Sequence, residues 1–118
     1  MKKLWLDDLR PVPDYTWDRV KNYNEFVSYI LENGVPEVIS FDHDLGREHY
    51  TSFITDKKKH ILEDFETPTG YDCVKWLIEN DYELYKYECH SANIIGKINI
   101  MTLLGNWRDF CYERNSKK

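Results

Sequence analysis

Acidic and imidazole side chains follow an apolar segment near the middle of the chain. Residues 37–41 have the composition of a short buried strand, and they lead directly into Asp42, His43 and Asp44. Carboxylates gathered around one point repel one another unless a proton or a cation lies between them. Oxygen-rich groups of this kind suit Mg²⁺ or Mn²⁺, ions that also bind substrate phosphates. The alternative is that Asp42 and Asp44 form a turn or cap a helix, which is a common role of Asp after a strand.

Two other predicted strands end in the same kind of chemistry. Asp7 and Asp8 follow the strand candidate 3–6, and His90 follows the strand candidate 84–89. Because ligands bind beyond the carboxyl ends of parallel strands, we expect these side chains to meet at one edge of a sheet. We predict a divalent cation there, either Mg²⁺ or Mn²⁺, and nearby imidazoles favour Mn²⁺. The predicted ligands are Asp7, Asp8, Asp42 and Asp44.

Histidines beside these acids are candidates for proton transfer. Imidazole titrates near neutral pH, so His43 and His90 are the predicted general acid and base. A lone histidine is more often structural, but two at neighbouring strand ends favour catalysis. Asp42, at the centre of the group, is the third predicted catalytic residue.

Three residues could hold a phosphate group at the same edge. Arg10 follows the first acidic pair by two residues, so it could clamp a phosphate or form a salt bridge that orients Asp7 or Asp8. Ser91 and Asn93 stand where the last predicted helix begins, and backbone N–H groups at a helix start attract anions. Plain N-capping is the alternative for Ser91 and Asn93, and both roles are compatible.

Composition limits the classes of protein to which the chain can belong. Its 118 residues suit one domain, 1–118, and 42% apolar content argues against disorder. A net charge of −5 excludes general attraction to membranes or to extended duplex nucleic acid, so a phosphate partner must be held locally. Without a signal peptide or a long apolar run, we expect a cytoplasmic protein. The odd number of cysteines, three, indicates neither a zinc site nor a disulfide framework.

The elements that position these residues alternate between strand and helix. Strands are predicted at 3–6, 17–20, 37–41 and 84–89. Helices are predicted from an N-cap at Asn24 to Asn33, from a capping box of Thr69 and Asp72 to about 80, and from about 93 to 112. Gly96 and Gly105 weaken the last helix, so we expect each to permit close packing or close approach of a ligand.

The charged segment 47–68 has no clear periodicity and is predicted to be an insertion, either a binding lid or a solvated loop. Right-handed crossovers between the other elements predict an α/β fold with a mostly parallel sheet of four or five strands. We expect helices on both faces of this sheet, which gives three layers.

Four segments, in order, resemble the cyclic-phosphate processing receiver domains, a divergent group of receiver domains. They are Leu6-Asp7-Asp8-Leu9-Arg10-Pro11, Ser40-Phe41-Asp42-His43-Asp44-Leu45-Gly46, Thr69-Gly70-Tyr71-Asp72 and His90-Ser91-Ala92-Asn93-Ile94-Ile95-Gly96. The resemblance implies a receiver-like, flavodoxin-type fold and a role in opening cyclic phosphates. It also implies that Asp42 corresponds to the phosphorylated aspartate of ordinary receivers, and that Ser91 corresponds to their switch hydroxyl.

The chain departs from ordinary receivers in two ways. It has no clear fifth strand that ends in a lysine, and it adds His43 and His90. Both differences favour hydrolysis over phosphorelay signalling. The first hypothesis is therefore a metal-assisted phosphoesterase acting on an RNA 2′,3′-cyclic phosphate end or on a cyclic nucleotide. The second is a regulatory module that is phosphorylated on Asp42 or binds a cyclic nucleotide uncleaved. A third is a protein-binding domain that uses its aromatic surface.

Overall fold

A computed structural model describes residues 2–45 and 68–116, which form a four-stranded sheet and three helices. The strands are β1 (Lys3–Leu6), β2 (Trp17–Val20), β3 (Val38–Phe41) and β4 (Tyr87–Cys89), and the helices are α1 (Tyr23–Asn33), α2 (Gly70–Glu79) and α3 (Ile94–Ser116). The strand order is β2-β1-β3-β4, and every pair is parallel. The predicted parallel α/β sheet is therefore confirmed.

One face of the sheet carries the apolar core. Side chains alternate along a strand, and the register of the parallel pairs places Leu4, Leu6, Ile39 and Phe41 on the same face. Each of the four is fully buried. They form one cluster with residues from all three helices, namely Phe26, Ile30, Cys73, Val74, Leu77, Ile100 and Leu104.

The helices of the described part of the chain thus lie on one face of the sheet. The connections from β2 to β3 and from β3 to β4 move in the same direction across the sheet, so right-handed crossovers place α1 and α2 on the same side. The expected helical layer on the second face stays a prediction. The proposed insertion at 47–68 lies, apart from Pro68, outside the described residues.

Helix α1 begins two residues earlier than predicted. Its N-cap is Asn22, whose side chain accepts a hydrogen bond of 2.9 Å from the N–H of Glu25, so the prediction of Asn24 is wrong. The Glu25 carboxylate in turn accepts from the N–H of Lys21 at 3.0 Å. At the other end, Gly34 adopts φ 78°, which terminates the helix as expected.

The predicted capping box of α2 is confirmed, because the Asp72 carboxylate accepts a 2.7 Å hydrogen bond from the Thr69 N–H. Strands β3 and β4 begin later than predicted, at Val38 and Tyr87. The edge strand β4 pairs only with the last three residues of β3, and Tyr85 lies exposed before it.

Helix α3 is longer than predicted. It continues to Ser116, and Arg114 in its last turn forms an ion pair of 2.7 Å with Asp81. Close packing at Gly105 is not observed, since a Cβ at that position would meet no atom of the described residues outside its own helix backbone within 4 Å, and close approach of a ligand there stays a prediction. In the described residues, no helix combines the length and apolar character needed to cross a membrane.

Candidate functional site

The carboxyl ends of β1, β3 and β4 bring Asp7, Asp42 and His90 together. The Asp42 N–H donates to the carbonyl of Leu6, and the His90 N–H donates to the carbonyl of Phe41, each at 3.0 Å. These bonds extend the ladder beyond the strands and align their ends. One ligand atom from each of the three polar side chains lies within 4.8 Å of the others. The strand ends therefore converge as the sequence predicts.

Asp7 is held in one orientation by two backbone N–H donors and by a contact with one imidazole nitrogen. Its Oδ1 accepts from the backbone N–H groups of Leu9 and Arg10, both at 2.8 Å, and its Oδ2 lies 2.9 Å from Nε2 of His90. The side chain is almost fully buried. An ionised carboxylate offers about four lone-pair positions, so these bonds leave roughly one on Oδ2 for a cation or another ligand.

The imidazole of His90 has contacts on its face and at both nitrogens. It stacks on Trp5 with ring centroids 3.7 Å apart and planes inclined by 6°. Its Nδ1 lies 2.7 Å from Oγ of Ser40, while Nε2 contacts Asp7. Burial lowers the pKa of His90 below its usual value despite the carboxylate, so the ring is neutral at pH 7. The predicted role of His90 in proton transfer stays a prediction.

Asp42 has an unusual charge environment. Burial raises its pKa to about 7, and the negative charge of Asp7 contributes next. A hydrogen bond from Ser91 opposes the rise, whereas Asp44 and Asp8 add to it. The four predicted cation ligands therefore interact electrostatically around Asp42. A divalent cation would relieve their repulsion, and Asp7 and Asp42, whose oxygens lie close together, offer the carboxylate donors that suit Mg²⁺ or Mn²⁺.

The Asp44 carboxylate contacts two buried side chains, His43 and Asn93. Its Oδ1 lies 2.8 Å from Nδ1 of His43 and accepts from the Asn93 amide at 3.2 Å. His43 is fully buried, so its imidazole orients Asp44 from inside the protein. Gly96 makes this possible, because a Cβ there would overlap the His43 ring. The expectation of close packing at Gly96 is confirmed.

A pocket of about 160 Å³ opens at this edge of the sheet. Its lining among the described residues consists of Asp7, Leu9, Arg10, Asp42, Asp44 and Ala92. At about 30 Å³ per molecule of liquid water, this volume holds roughly five waters. A cation and a phosphate group fit such a space.

Arg10 lies at the side of this pocket. Its Nη1 donates to the carbonyl of His90 at 2.7 Å, and its own carbonyl accepts from Nε1 of Trp5 at 3.2 Å. The observed guanidinium contact is thus with the backbone of the β4 end. The remaining N–H donors of the guanidinium are compatible with the predicted phosphate clamp.

Comparison with known families adds an independent observation. The family model described as the cyclic-phosphate processing receiver domain matches residues 2–106, which is most of the chain. The chain belongs to this family. Its parallel four-stranded sheet with helices is consistent with a receiver-like, flavodoxin-type fold. Searches of the curated proteins and of the solved structures found no match.

The start of α3 in this receiver domain is capped by side chains. Asn93 is buried, its Oδ1 accepts from the Gly96 N–H at 3.0 Å, and its own N–H donates to Oγ of Ser91 at 3.1 Å. Capping, the alternative considered for both residues, is therefore present at Asn93, whereas Ser91 accepts from the N–H of the capping residue and not from an N–H of the helix. The predicted binding of phosphate by Ser91 and Asn93 stays a prediction, and Ala92 is the residue between them that lines the pocket.

Two residues of the receiver domain's site escaped the sequence analysis. Ser40 and Trp5 contact the edge and the face of the His90 ring. A signal for Ser40 was present, because it is the only polar residue in the buried segment Val38–Phe41. Trp5 had no comparable signal, since an aromatic residue in a strand usually belongs to the core.

Proposed function

We propose that this receiver domain hydrolyses a cyclic phosphate ester, either an RNA 2′,3′-cyclic phosphate end or a cyclic nucleotide, with the aid of Mg²⁺ or Mn²⁺. The observation that carries the proposal is the crowding of Asp7, Asp8 and Asp44 around Asp42, whose pKa is raised to about 7. Such a site repels an anionic phosphate unless a cation is present. Receiver domains commonly bind Mg²⁺ through acidic residues, in line with this requirement.

Asp7 and Asp42 are the proposed primary ligands, because their oxygens lie close together at the strand ends. His90 shares the cluster and would favour Mn²⁺ if its nitrogen also binds. Asp8 and Asp44 supply further negative charge. When bound, the cation supplies Lewis-acid charge that polarises a phosphoryl oxygen.

Asp44 is the residue that we propose as proton acceptor. It lines the pocket beside Asp42, and His43 and Asn93 hold its carboxylate in place. A carboxylate oxygen of Asp44 takes one proton from the attacking water as the water oxygen bonds to phosphorus. The same proton then passes to the ribose oxygen as the phosphorus–oxygen bond of the ring breaks. Water is thereby added across one phosphorus–oxygen bond, with its hydroxyl on phosphorus and its proton on the ribose oxygen of the same ring-opened product, and the enzyme returns to its starting form.

We propose that Arg10 and the start of α3 bind the phosphate group. Arg10 is exposed and lines the pocket, so its guanidinium can contact the anionic oxygens of the substrate. Ala92, two residues before the first residue of α3 and so close to the positive end of its dipole, also lines the pocket. Leu9 also lines the pocket and its side chain is exposed, so it is an apolar surface available to the nucleoside in this proposal.

A regulatory role is the second candidate. It is favoured by one observation, the hydrogen bond between the Ser91 hydroxyl and Asp42, the aspartate at the end of β3. Incubation with acetyl phosphate tests this alternative. A stable gain of one phosphoryl mass in the wild type, lost in Asp42→Asn, would favour signalling over hydrolysis.

The experiment that tests the main proposal is a hydrolysis panel. The substrates are 2′,3′-cyclic nucleotides, an RNA with a 2′,3′-cyclic phosphate end, and 3′,5′-cyclic mono- and dinucleotides, each with Mn²⁺, Mg²⁺ or EDTA. Wild type is compared with Asp42→Asn and with the control Asp109→Asn, which removes the same charge from an exposed position on α3. We expect cation-dependent ring opening by the wild type and the control, and its loss in Asp42→Asn. Absence of turnover by folded wild type across the panel would refute the proposal.

A further inference from the structure

We propose that Arg19 selects substrates that carry a second phosphate group close to the cyclic one, such as a phosphate on the 5′ oxygen of the same nucleotide. The inference deepens the proposed function and rests on it. Arg19 lies on β2, the strand beside β1, and its Nε donates a 3.0 Å hydrogen bond to the main-chain carbonyl of Asp7. Because the Asp7 side chain lines the pocket, the Arg19 guanidinium lies beside the pocket.

Two arginines are thus held at the carboxyl edge of the sheet. Arg10 donates to the carbonyl of His90 at the end of β4, and Arg19 donates to the carbonyl of Asp7 at the end of β1. Strand β3 separates β1 from β4. Neighbouring strands lie about 4.8 Å apart, so the two carbonyls are roughly 10 Å apart across the sheet. The two phosphate groups of one nucleotide fit between cations at this spacing, one at Arg10 and the other at Arg19.

The charge of Arg19 is not neutralised by an ion pair with any described residue. Arg108 and Arg114, both on α3, form ion pairs with Asp109 at 3.4 Å and with Asp81 at 2.7 Å. Arg19 differs, because its hydrogen-bond partner within the described ranges is a neutral carbonyl. In a chain with a net charge of −5, a half-buried cation of this kind can bind an anionic ligand without first breaking an ion pair.

The contact with Asp7 also orients the guanidinium. It uses the N–H on Nε, so both Nη atoms keep their donors for a ligand. A guanidinium fixed in this way can bind two phosphate oxygens at once, which the ammonium group of a lysine cannot do with the same geometry. Holding the group in place before binding also lowers the entropic cost of binding. The alternative is that Arg19 only links β2 to the end of β1, and Nε alone suffices for that role.

The two roles differ in what they predict for substrates. Adenosine 2′,3′-cyclic phosphate carries the cyclic phosphate alone, so it leaves Arg19 without an anionic partner. Its 5′-phosphorylated form carries a second phosphate on the same nucleotide. At the end of an oligonucleotide, the phosphodiester on the 5′ side of the last nucleotide occupies that position. A binding role predicts a preference for the last two compounds, whereas a linking role predicts none.

The test compares kcat/KM for three substrates with Mg²⁺ or Mn²⁺. They are adenosine 2′,3′-cyclic phosphate, its 5′-phosphorylated form, and a diadenosine dinucleotide that ends in a 2′,3′-cyclic phosphate. The variants are Arg19→Gln, which removes the charge, and Arg19→Lys, which keeps the charge without the planar fork. Arg108→Gln, which removes an exposed charge on α3, is the control. Thermal denaturation of each variant separates a loss of stability from a loss of discrimination.

A binding measurement accompanies the kinetics. Isothermal titration calorimetry in Mg²⁺ compares adenosine 3′-monophosphate with adenosine 3′,5′-bisphosphate, two compounds that differ only in the 5′-phosphate. The comparison requires no turnover, so it tests Arg19 independently of the proposed hydrolysis.

We expect the wild type and Arg108→Gln to prefer the 5′-phosphorylated substrate by about tenfold in kcat/KM, mainly through a lower KM. The preference should disappear in Arg19→Gln and return in part in Arg19→Lys. An equal preference for the dinucleotide would support the inference and identify an internal phosphodiester as the second phosphate. A preference for the 5′-phosphorylated mononucleotide alone would support it with a terminal phosphate as the ligand.

Equal kcat/KM of the wild type for the substrates with one and with two phosphates would overturn the inference, and this result decides even if no Arg19 variant folds. A preference that persists in folded Arg19→Gln would overturn it as well. If the wild type opens no ring at all, the proposed function fails and calorimetry decides on Arg19. Affinity for the bisphosphate about tenfold above that for the monophosphate, lost in Arg19→Gln, would then support the inference, and equal affinities would overturn it.

Discussion

Nε2 of His90 lies 2.9 Å from Oδ2 of Asp7, although the two residues are 83 positions apart in the chain. Asp7 follows β1 and His90 follows β4, and these strands flank β3 in the sheet. The contact therefore joins the two neighbours of the strand that delivers Asp42. The buried Asp7 carboxylate therefore lies close to Asp42, and its negative charge makes ionisation of Asp42 less favourable.

Asp42→Asn should stabilise the cation-free protein and abolish its response to cations. The substitution removes a buried carboxylate that Asp7, Asp8 and Asp44 repel. We expect a higher melting temperature than wild type at pH 8 in EDTA, and little further increase with Mg²⁺ or Mn²⁺, whereas the wild type should gain stability. Thermal denaturation measures both effects. Asp109→Asn is the control, and the same gain in that variant would show that net charge, not the site, is responsible.

The contribution of Asp42 to the stability of the cation-free wild type should fall as pH rises from about 4 to about 7, whereas the lowered pKa of His90 acts in the opposite direction. The pKa of Asp42 is about 7 in the folded protein against 3.8 as the ordinary value, so the folded state binds more protons between these limits. This contribution then decreases with pH, by at most roughly 4 kcal/mol at 1.36 kcal/mol per pKa unit. Urea denaturation of wild type and Asp42→Asn across this range isolates the contribution. A difference between the two proteins that stays constant with pH would contradict it.

Gly96→Ala and Gly105→Ala, two substitutions in the same helix, should have opposite effects. At position 96 the new methyl group overlaps the buried His43 ring, and overpacking of this kind costs about 1–3 kcal/mol. At position 105 a Cβ would meet no atom of the described residues outside its own helix backbone within 4 Å, so helix propensity should stabilise the protein by up to about 1 kcal/mol. Chemical denaturation of both variants checks the pair. Equal stability of the two would show that the contact with His43 is not restrictive.

Arg10→Gln should weaken substrate binding more than it slows the chemical step. If the guanidinium contacts the phosphate, its loss should raise KM about tenfold or more, equivalent to roughly 1.4 kcal/mol, with a smaller change in kcat. Steady-state kinetics on the best substrate of the hydrolysis panel measures this. Arg108→Gln removes the same charge from an exposed site on α3 and serves as control. An unchanged KM in Arg10→Gln would exclude Arg10 as the phosphate clamp.

The elements that the sequence predicted correctly have strong local signals. The Thr69 and Asp72 capping box, Gly34 at the end of α1 and the four short strands depend on residues close together in the chain. The N-cap of α1 was misplaced because Asn22 and Asn24 are both suitable caps, and only the path of the backbone selects between them. Close packing at Gly105 could not be judged from the sequence, because a glycine has the same sequence signal whether a neighbour approaches it or not.

The sequence by itself determined that Asp7, Asp42 and His90 stand at strand ends, since a polar residue after an apolar run is visible without a structure. Parallel pairing then made their convergence predictable. The tertiary structure alone decided which hydrogen bonds each group makes. It buried His43 against Asp44, stacked His90 on Trp5 and placed Ser40 against Nδ1, because such contacts depend on packing between segments up to 85 positions apart.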